Sequence, residues 1–296
     1  MSRDHKFLAH IESPHSIITA IDLAARFPEV LGNSQSRYQS DISLFRQLVN
    51  ESSSTSELLA RIRTTEFNAT QRMTLLKIFR RCVSPIIDTE MAKKIRVPTS
   101  TLVDNYGDTF KHIETIRDQF NSFTPLEEAA LAALVGEYDT RGQLGYKLTD
   151  RFFSWFESTF HGGFTIEGPR GAGRDIELSS VFENFNGDYP CDFVIRDTRG
   201  QVCAVGFARY DSTRGGAQSD DRTGGNSDKV TKAIAFCQEF GHEFRLVFLA
   251  DGPGLAHRDT WYEACKLDGS WDGAVRVTTL KTAPERITAD WLLGRY

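Results

Sequence analysis

The stretch that most restricts the fold of this 296-residue chain runs from Tyr189 to Lys229. Two apolar runs, Cys191–Ile195 and Val202–Ala208, flank Asp197-Thr198-Arg199-Gly200. Short apolar runs on either side of a turn rich in Asp and Gly read as a β-hairpin. Asp192 then sits at the mouth of the first strand. Arg209 and Asp211 leave the end of the second on one face, because side chains alternate with period two. The segment that follows, Arg209–Asn226, carries Arg214, Arg222, Gln218, Asn226, Asp220 and Asp221 among four glycines. It is too polar for a core, and long polar loops in compact domains are usually functional.

The elements around the hairpin alternate between helix and strand. Thr149 caps a helix Arg151–Phe160, rich in aromatic residues that suit a core. Phe164–Ile166 is a short strand. Gly168–Arg174 is a Gly-rich basic loop entering a helix at Asp175, with Glu177 on that helix. Its backbone N–H groups are suited to phosphate, and Arg170 and Arg174 add charge; no Lys-Ser/Thr closes it as in a nucleotide P-loop. Ser227–Phe240 is a helix, Phe244–Ala250 a buried strand, Trp261–Leu267 a helix, Val275–Thr279 a strand and Pro284–Leu293 a last helix. The fold class expected is α/β, a mixed sheet flanked by helices behind an all-helical region.

The helical region covers residues 1–145, and the α/β domain 146–296. Helices are expected over Ser16–Arg26, Asp41–Val49, Glu57–Arg63, Asn68–Cys82, Asp108–Phe120 and from Thr124 to about Tyr138. Asn33–Ser40 reads as linker. Thr124-Pro125-Leu126-Glu127 is a capped helix start, and Thr140–Gly145 reads as the break between domains. Residues 86–106 give two short helices around Arg96-Val97-Pro98, with small Ala92 where the second helix crosses. This resembles the helix-turn-helix of DNA-binding proteins. That resemblance turns Thr99, Ser100, Thr101 and Asn105 toward bases or phosphates, with Lys93, Lys94 and Arg96 supplying backbone charge. Two ordinary packed helices are the simpler alternative.

A formal net charge of -5 means that binding to nucleic acid has to rest on a local surface. No apolar run approaches the roughly 20 residues of a membrane helix, and Met1–Ser16 lacks the apolar core of a signal peptide. Five scattered cysteines without a CxxC pair point to reduced thiols, a cytoplasmic location and no structural zinc.

Hydrolysis of a phosphodiester with a divalent metal needs carboxylates converging at a sheet edge and a cation for the charge that develops. The order of elements, with Tyr189-Pro190-Cys191-Asp192 leading into the hairpin, resembles the PD-(D/E)XK nucleases, specifically type II restriction endonucleases, over Thr149–Ala250. The resemblance implies a site-specific cut of double-stranded DNA, Mg²⁺ as cofactor and a homodimer. It makes Asp192 the first metal-binding carboxylate and Glu177 a second. The acid-x-Lys segment departs from the pattern: Phe207 stands where the acid belongs and Arg209 where Lys belongs. Arg neutralises charge but does not act as base. Either the acid has moved to Glu177 or Asp211 with Arg209 as cation, or the Lys role has moved to Lys229 or Lys232, or the fold binds DNA without cutting it. In the polar loop Arg214 and Arg222 suit guanine, and Gln218 and Asn226 suit adenine. A hydrolase acting on a small phosphorylated ligand is the remaining alternative.

Overall fold

A computed structural model describes residues 5–137, 139, 141–212 and 218–295, with side chains for all of these except 141 and 218–224. The chain divides into two compact units: Ala24–Thr140, and Arg141–Tyr296 together with the N-terminal residues up to Leu23. In chain order the first helix is the single turn α1 (Pro14–Ile17).

The first unit is helical: α2 (Glu29–Glu51), α3 (Thr55–Ile62), α4 (Ala69–Cys82), α5 (Thr89–Lys93), α6 (Thr99–Tyr106), α7 (Ile113–Ser122) and α8 (Pro125–Gly136). The starts of these helices follow the local code. Ser54, Asn68, Asp88 and Thr124 each accept a hydrogen bond from a first-turn N–H, and Asn68 and Thr124 close full capping boxes with Gln71 and Glu127. Phe45, Leu59, Leu76, Phe79 and Ile116 are fully buried in one core, and α2 packs along α8, α4 and α7. The expected linker Asn33–Ser40 lies inside α2: Tyr38 is buried in step with Ile42 and Phe45, so the polar residues occupy the outer face.

The second unit holds α9 (Arg141–Thr159), β1 (Phe164–Glu167), β2 (Ile176–Glu177), α10 (Leu178–Val181), β3 (Pro190–Cys191), β4 (Phe193–Asp197), β5 (Val202–Tyr210) and α11 (Gln218–Phe240). It continues through β6 (Arg245–Asp251), α12 (Arg258–Leu267), β7 (Val275–Thr278), α13 (Ala283–Arg286) and α14 (Ala289–Leu292). A five-stranded mixed sheet has the order β1-β4-β5-β6-β7, and β2-β3 form a separate two-stranded sheet. The first three strands of the large sheet are antiparallel and the last three parallel. The hairpin is β4-turn-β5, as expected, and α11 carries the chain across to parallel β6.

Both sheet faces are covered. Val205, Phe207, Phe248 and Val277 face a core shared with Ala233 and Phe236 of α11. Ala204, Val247 and Leu249 face Phe152 and Phe156 of α9 and Trp291 of α14. Gly206 lies under the Phe193 ring, where a Cβ would come within 1.9 Å of the ring.

Four expectations about organisation are corrected. The helical unit begins at Ala24, because residues 5–23 form a strap on the α/β unit. In it Leu8 N donates to Asp268, Thr19 N to Asp251, and Ile17 O accepts from Thr279. Beyond α1 the strap spends its backbone groups on these partners, so the expected helix Ser16–Arg26 does not form. Of the break expected at Thr140–Gly145, residues 141–145 form the first turn of α9 instead, while Thr140 lies outside the described residues; Thr149 is inside the helix, its hydroxyl on Gly145 O at 3.1 Å. Gly168–Arg174 leads into strand β2, so its N–H groups gain no helix terminus.

Candidate active site

Asp192 is held where β3 passes into β4. Its N–H donates to Gly206 O at 2.9 Å, and its Oδ2 accepts from Ala208 N at 2.7 Å. Its carbonyl is the closest neighbour of Gly168, where a Cβ would come within 2.3 Å of that oxygen. Gly168 therefore lets the incoming loop press against the strand. Burial pushes the Asp192 carboxyl above its ordinary range; the Ala208 N–H draws it back, Asp175 pushes it up and Lys229 draws it down.

Asp175 reaches this place by register. Ile176 pairs with Cys191 in the antiparallel β2-β3 sheet, so one step further brings Asp175 alongside Asp192. Two like charges facing each other across strands are unfavourable without a cation between them.

Lys229 projects from α11 over the same face. Its Nζ lies 3.7 Å above the ring centroid of Phe207. Phe207 is one step beyond the Phe193–Gly206 pair, so it stands beside Asp192. Burial lowers the Lys229 ammonium below its ordinary range, partly offset by Asp192, Cys191 and Asp175. Tyr189, itself buried, donates its hydroxyl to Lys229 O at 3.0 Å and fixes that turn of α11. The cation thus comes from the helix, while β5 contributes Phe207, stacked on Phe248 at 5.1 Å between centroids.

The other expected site residues are dispersed. Glu177 is borne by strand β2 rather than by a helix; it is exposed, and its Oε2 accepts from Tyr189 N at 3.2 Å. Arg209 does leave β5 on the same side as Asp211, and its Nε donates to Asp211 Oδ1 at 2.7 Å, so its charge is engaged by that carboxylate. Lys232 is exposed and paired with Asp228 at 2.8 Å. Arg170 turns back to α9: it pairs with Glu157, lies 3.4 Å from Asp150 and sits over the Phe153 ring. Those acids remove it from the expected phosphate loop, whereas Arg174 is exposed. Asn226 is half-buried in the first turns of α11. Arg214, and the side chains of Gln218 and Arg222, lie outside the described residues.

In the helical unit, α5 and α6 flank the Arg96-Val97-Pro98 turn, with Ala92 buried and Ser100, Thr101 and Asn105 exposed. Pro98 occupies the cap of α6. The turn is clamped from beneath by buried Arg63, which donates to Ala92 O at 2.8 Å, Lys94 O at 3.1 Å, Val97 O and Thr99 Oγ1 at 2.6 Å. The Thr99 hydroxyl is therefore tied to the scaffold.

Sequence reasoning missed Asp175 and Arg63. For Asp175 a signal was present: read as a strand, Arg174-Asp175-Ile176-Glu177 puts two acids on one side. An arginine at the end of an amphipathic helix gives no such sign.

Among the described residues no three His, Cys, Asp or Glu side chains converge as a ready metal centre, and no helix is long and apolar enough to cross a membrane. The five cysteines are free thiols, with Cys191, Cys203 and Cys237 buried. No family model, no curated protein and no solved structure matches the chain.

Proposed function

We propose that the chain is a metal-dependent endonuclease of double-stranded DNA, of the restriction type, with its chemistry centred on Asp192, Asp175 and Lys229. The observation that carries this reading is the placement of Lys229. Its ammonium hangs over Phe207, the position where the nuclease motif needs an acid, and faces two carboxylates at the mouth of the hairpin. Of the substitutes the sequence allows, this favours Lys229 over Lys232 and Arg209, which are both engaged elsewhere. Asp175 supplies the second carboxylate that the sequence seeks in Glu177 or Asp211.

The donors fit Mg²⁺, which takes one or two protein carboxylates and fills its remaining positions with water and substrate phosphate. Asp192, with Oδ2 already on Ala208 N–H, and exposed Asp175 would hold it. A bound ion supplies an activated water and neutralises charge on the phosphate. Lys229 holds its positive charge beside the phosphate as oxygen charge develops. Burial lowers its proton affinity, so it gives up a proton more readily than an ordinary lysine, as Arg does not. A second copy of the chain would supply the second cut of a duplex.

The test is incubation of the purified protein with bacteriophage DNA in Mg²⁺ and in EDTA, resolved on a gel. Discrete bands in Mg²⁺ alone are expected, lost in Lys229→Met with duplex binding retained. Phe207 in place of the acid and the pairing of Arg209 with Asp211 favour one competitor, a DNA-binding protein without cleavage. A mobility shift without bands would establish that competitor.

A further inference from the structure

The turn between α5 and α6 is fixed by more than packing. Ala92 on one side of it and Leu102 on the other, both at most 1% exposed, anchor the two helices in the helical core. Beneath the turn lies Arg63, 5% exposed. Its guanidinium donates to three backbone carbonyls and to the Thr99 hydroxyl, so the turn and both helix ends share one support. A buried guanidinium is costly to place, and side chains that must meet a ligand together need such a support. We infer that α5, its turn and α6 form a surface for duplex DNA, with α6 in the major groove and Arg63 as the positioning residue.

The outer face selects this partner. Ser100, Thr101, Asp104 and Asn105 are all exposed on α6, and no large apolar side chain lies among them. A protein interface uses apolar and aromatic side chains at its centre; this face has hydroxyls, an amide and a carboxylate instead. Those groups read base edges: Asn pairs with adenine, Asp accepts from cytosine, and Ser or Thr serve either. Their small size lets the helix enter a groove about 12 Å wide. Asn105 donates to Thr101 O at 2.6 Å, an exposed bond that a base edge can replace. At the turn, Lys94 and Arg96 are exposed and, among the described residues, in no ion pair, while Lys93 pairs with Glu90 at 3.1 Å. Asp88 is occupied at the start of α5 by the Met91 N–H. Two cations beside a polar helix face match the phosphates that border a groove. Ile95, 47% exposed between them, adds an apolar contact of the kind thymine methyls take. Thr99 is not a reader, since Arg63 holds its hydroxyl; Asp104 joins the readers instead.

The inference shares only its partner with the nuclease reading, and it needs no metal. In EDTA, duplexes bound by the full chain are selected from a random pool. The preferred duplex and a scrambled one are then titrated by fluorescence anisotropy at several salt concentrations, and circular dichroism checks the fold of each variant. Lys94→Gln and Arg96→Gln should weaken both duplexes alike, each lowering the salt slope by roughly one. Thr101→Ala and Asn105→Ala should each lower the preference for the selected duplex by roughly five- to a hundredfold at an unchanged salt slope. Arg63→Ala, or Arg63→Lys should that variant unfold, should also lower the preference with the salt slope kept, which an arginine serving stability alone would not do in a folded protein. A preference retained in the folded Arg63 variant removes Arg63 as the positioning residue. Failure to select any duplex, or native binding by both Arg96→Gln and Asn105→Ala, overturns the surface. If phage DNA is cut in Mg²⁺ while those variants bind as the native chain does, the nuclease reading stands and the α6 surface falls. If the variants lose their preference and phage DNA stays uncut, the surface stands and the nuclease reading falls.

Discussion

The two units bury polar groups in opposite ways. In the helical unit the core is hydrocarbon, and its one strongly charged buried side chain among the described residues, Arg63, gives hydrogen bonds to three carbonyls and a hydroxyl. The α/β unit takes on far more charge: Asp211, Asp251, Asp268 and Arg286 are all at most 8% exposed. Asp251 accepts from the N–H groups of Thr19, Gly252 and Leu280, and Asp268 from Leu8, Val277 and Arg286. These carboxylates knot the strap and the ends of the parallel strands together. Asp192 differs from them. It is partly buried with one N–H donor, a facing acid and a lysine above an aromatic ring, an arrangement that stability alone does not favour. A buried charge that the fold has satisfied is structural; one left short of partners is where chemistry belongs.

The sharpest test of that contrast is Asp192→Asn. The amide keeps an acceptor for Ala208 N–H, so folding should survive, while Mg²⁺-dependent cleavage should fall by on the order of a hundredfold or more. A variant that cuts normally would remove Asp192 from the site. The same substitution has a pH signature. The native carboxyl sits above its ordinary value of 3.8, so between that value and the raised one the folded state holds more protons than the unfolded. Stability should therefore fall as pH rises through this window, and the fall should flatten in Asp192→Asn. Urea melts across mildly acidic pH measure it; identical profiles would contradict the assignment.

Arg63→Ala should cost about 2–4 kcal/mol, because it strands carbonyls in the α5–α6 turn. It should leave the folded variant's Mg²⁺-dependent cleavage at saturating protein unchanged. Denaturant unfolding measures the first, and loss of that cleavage in the folded variant would break the separation of roles. Gly206→Ala should cost about 1–3 kcal/mol through the clash with Phe193, and a neutral effect would mean that the ring moves aside freely. Thr124→Ala should be the mildest, about 1 kcal/mol for one lost cap, read in the same melts.

Most of the elements were legible in the sequence. The hairpin announced itself through two apolar runs around Asp197–Gly200, and Thr124 and Asn68 marked their helices, because turns and caps are satisfied by residues a few positions apart. The Asn33–Ser40 and Arg141–Gly145 segments misled for the opposite reason. Their polar and glycine content speaks against helix locally, while Tyr38 and Leu148, buried in separate cores, hold them in helices that continue through.

What the sequence determined by itself is the hairpin with Asp192 at its mouth, the mixed α/β pattern behind a helical region, and the departure at Phe207 and Arg209. Only the tertiary structure decided which residues answer that departure. Strand register set Asp175 opposite Asp192, and the crossing of α11 over β5 set Lys229 above Phe207. Both depend on contacts between segments 17 and 22 residues apart in sequence, beyond the reach of local periodicity.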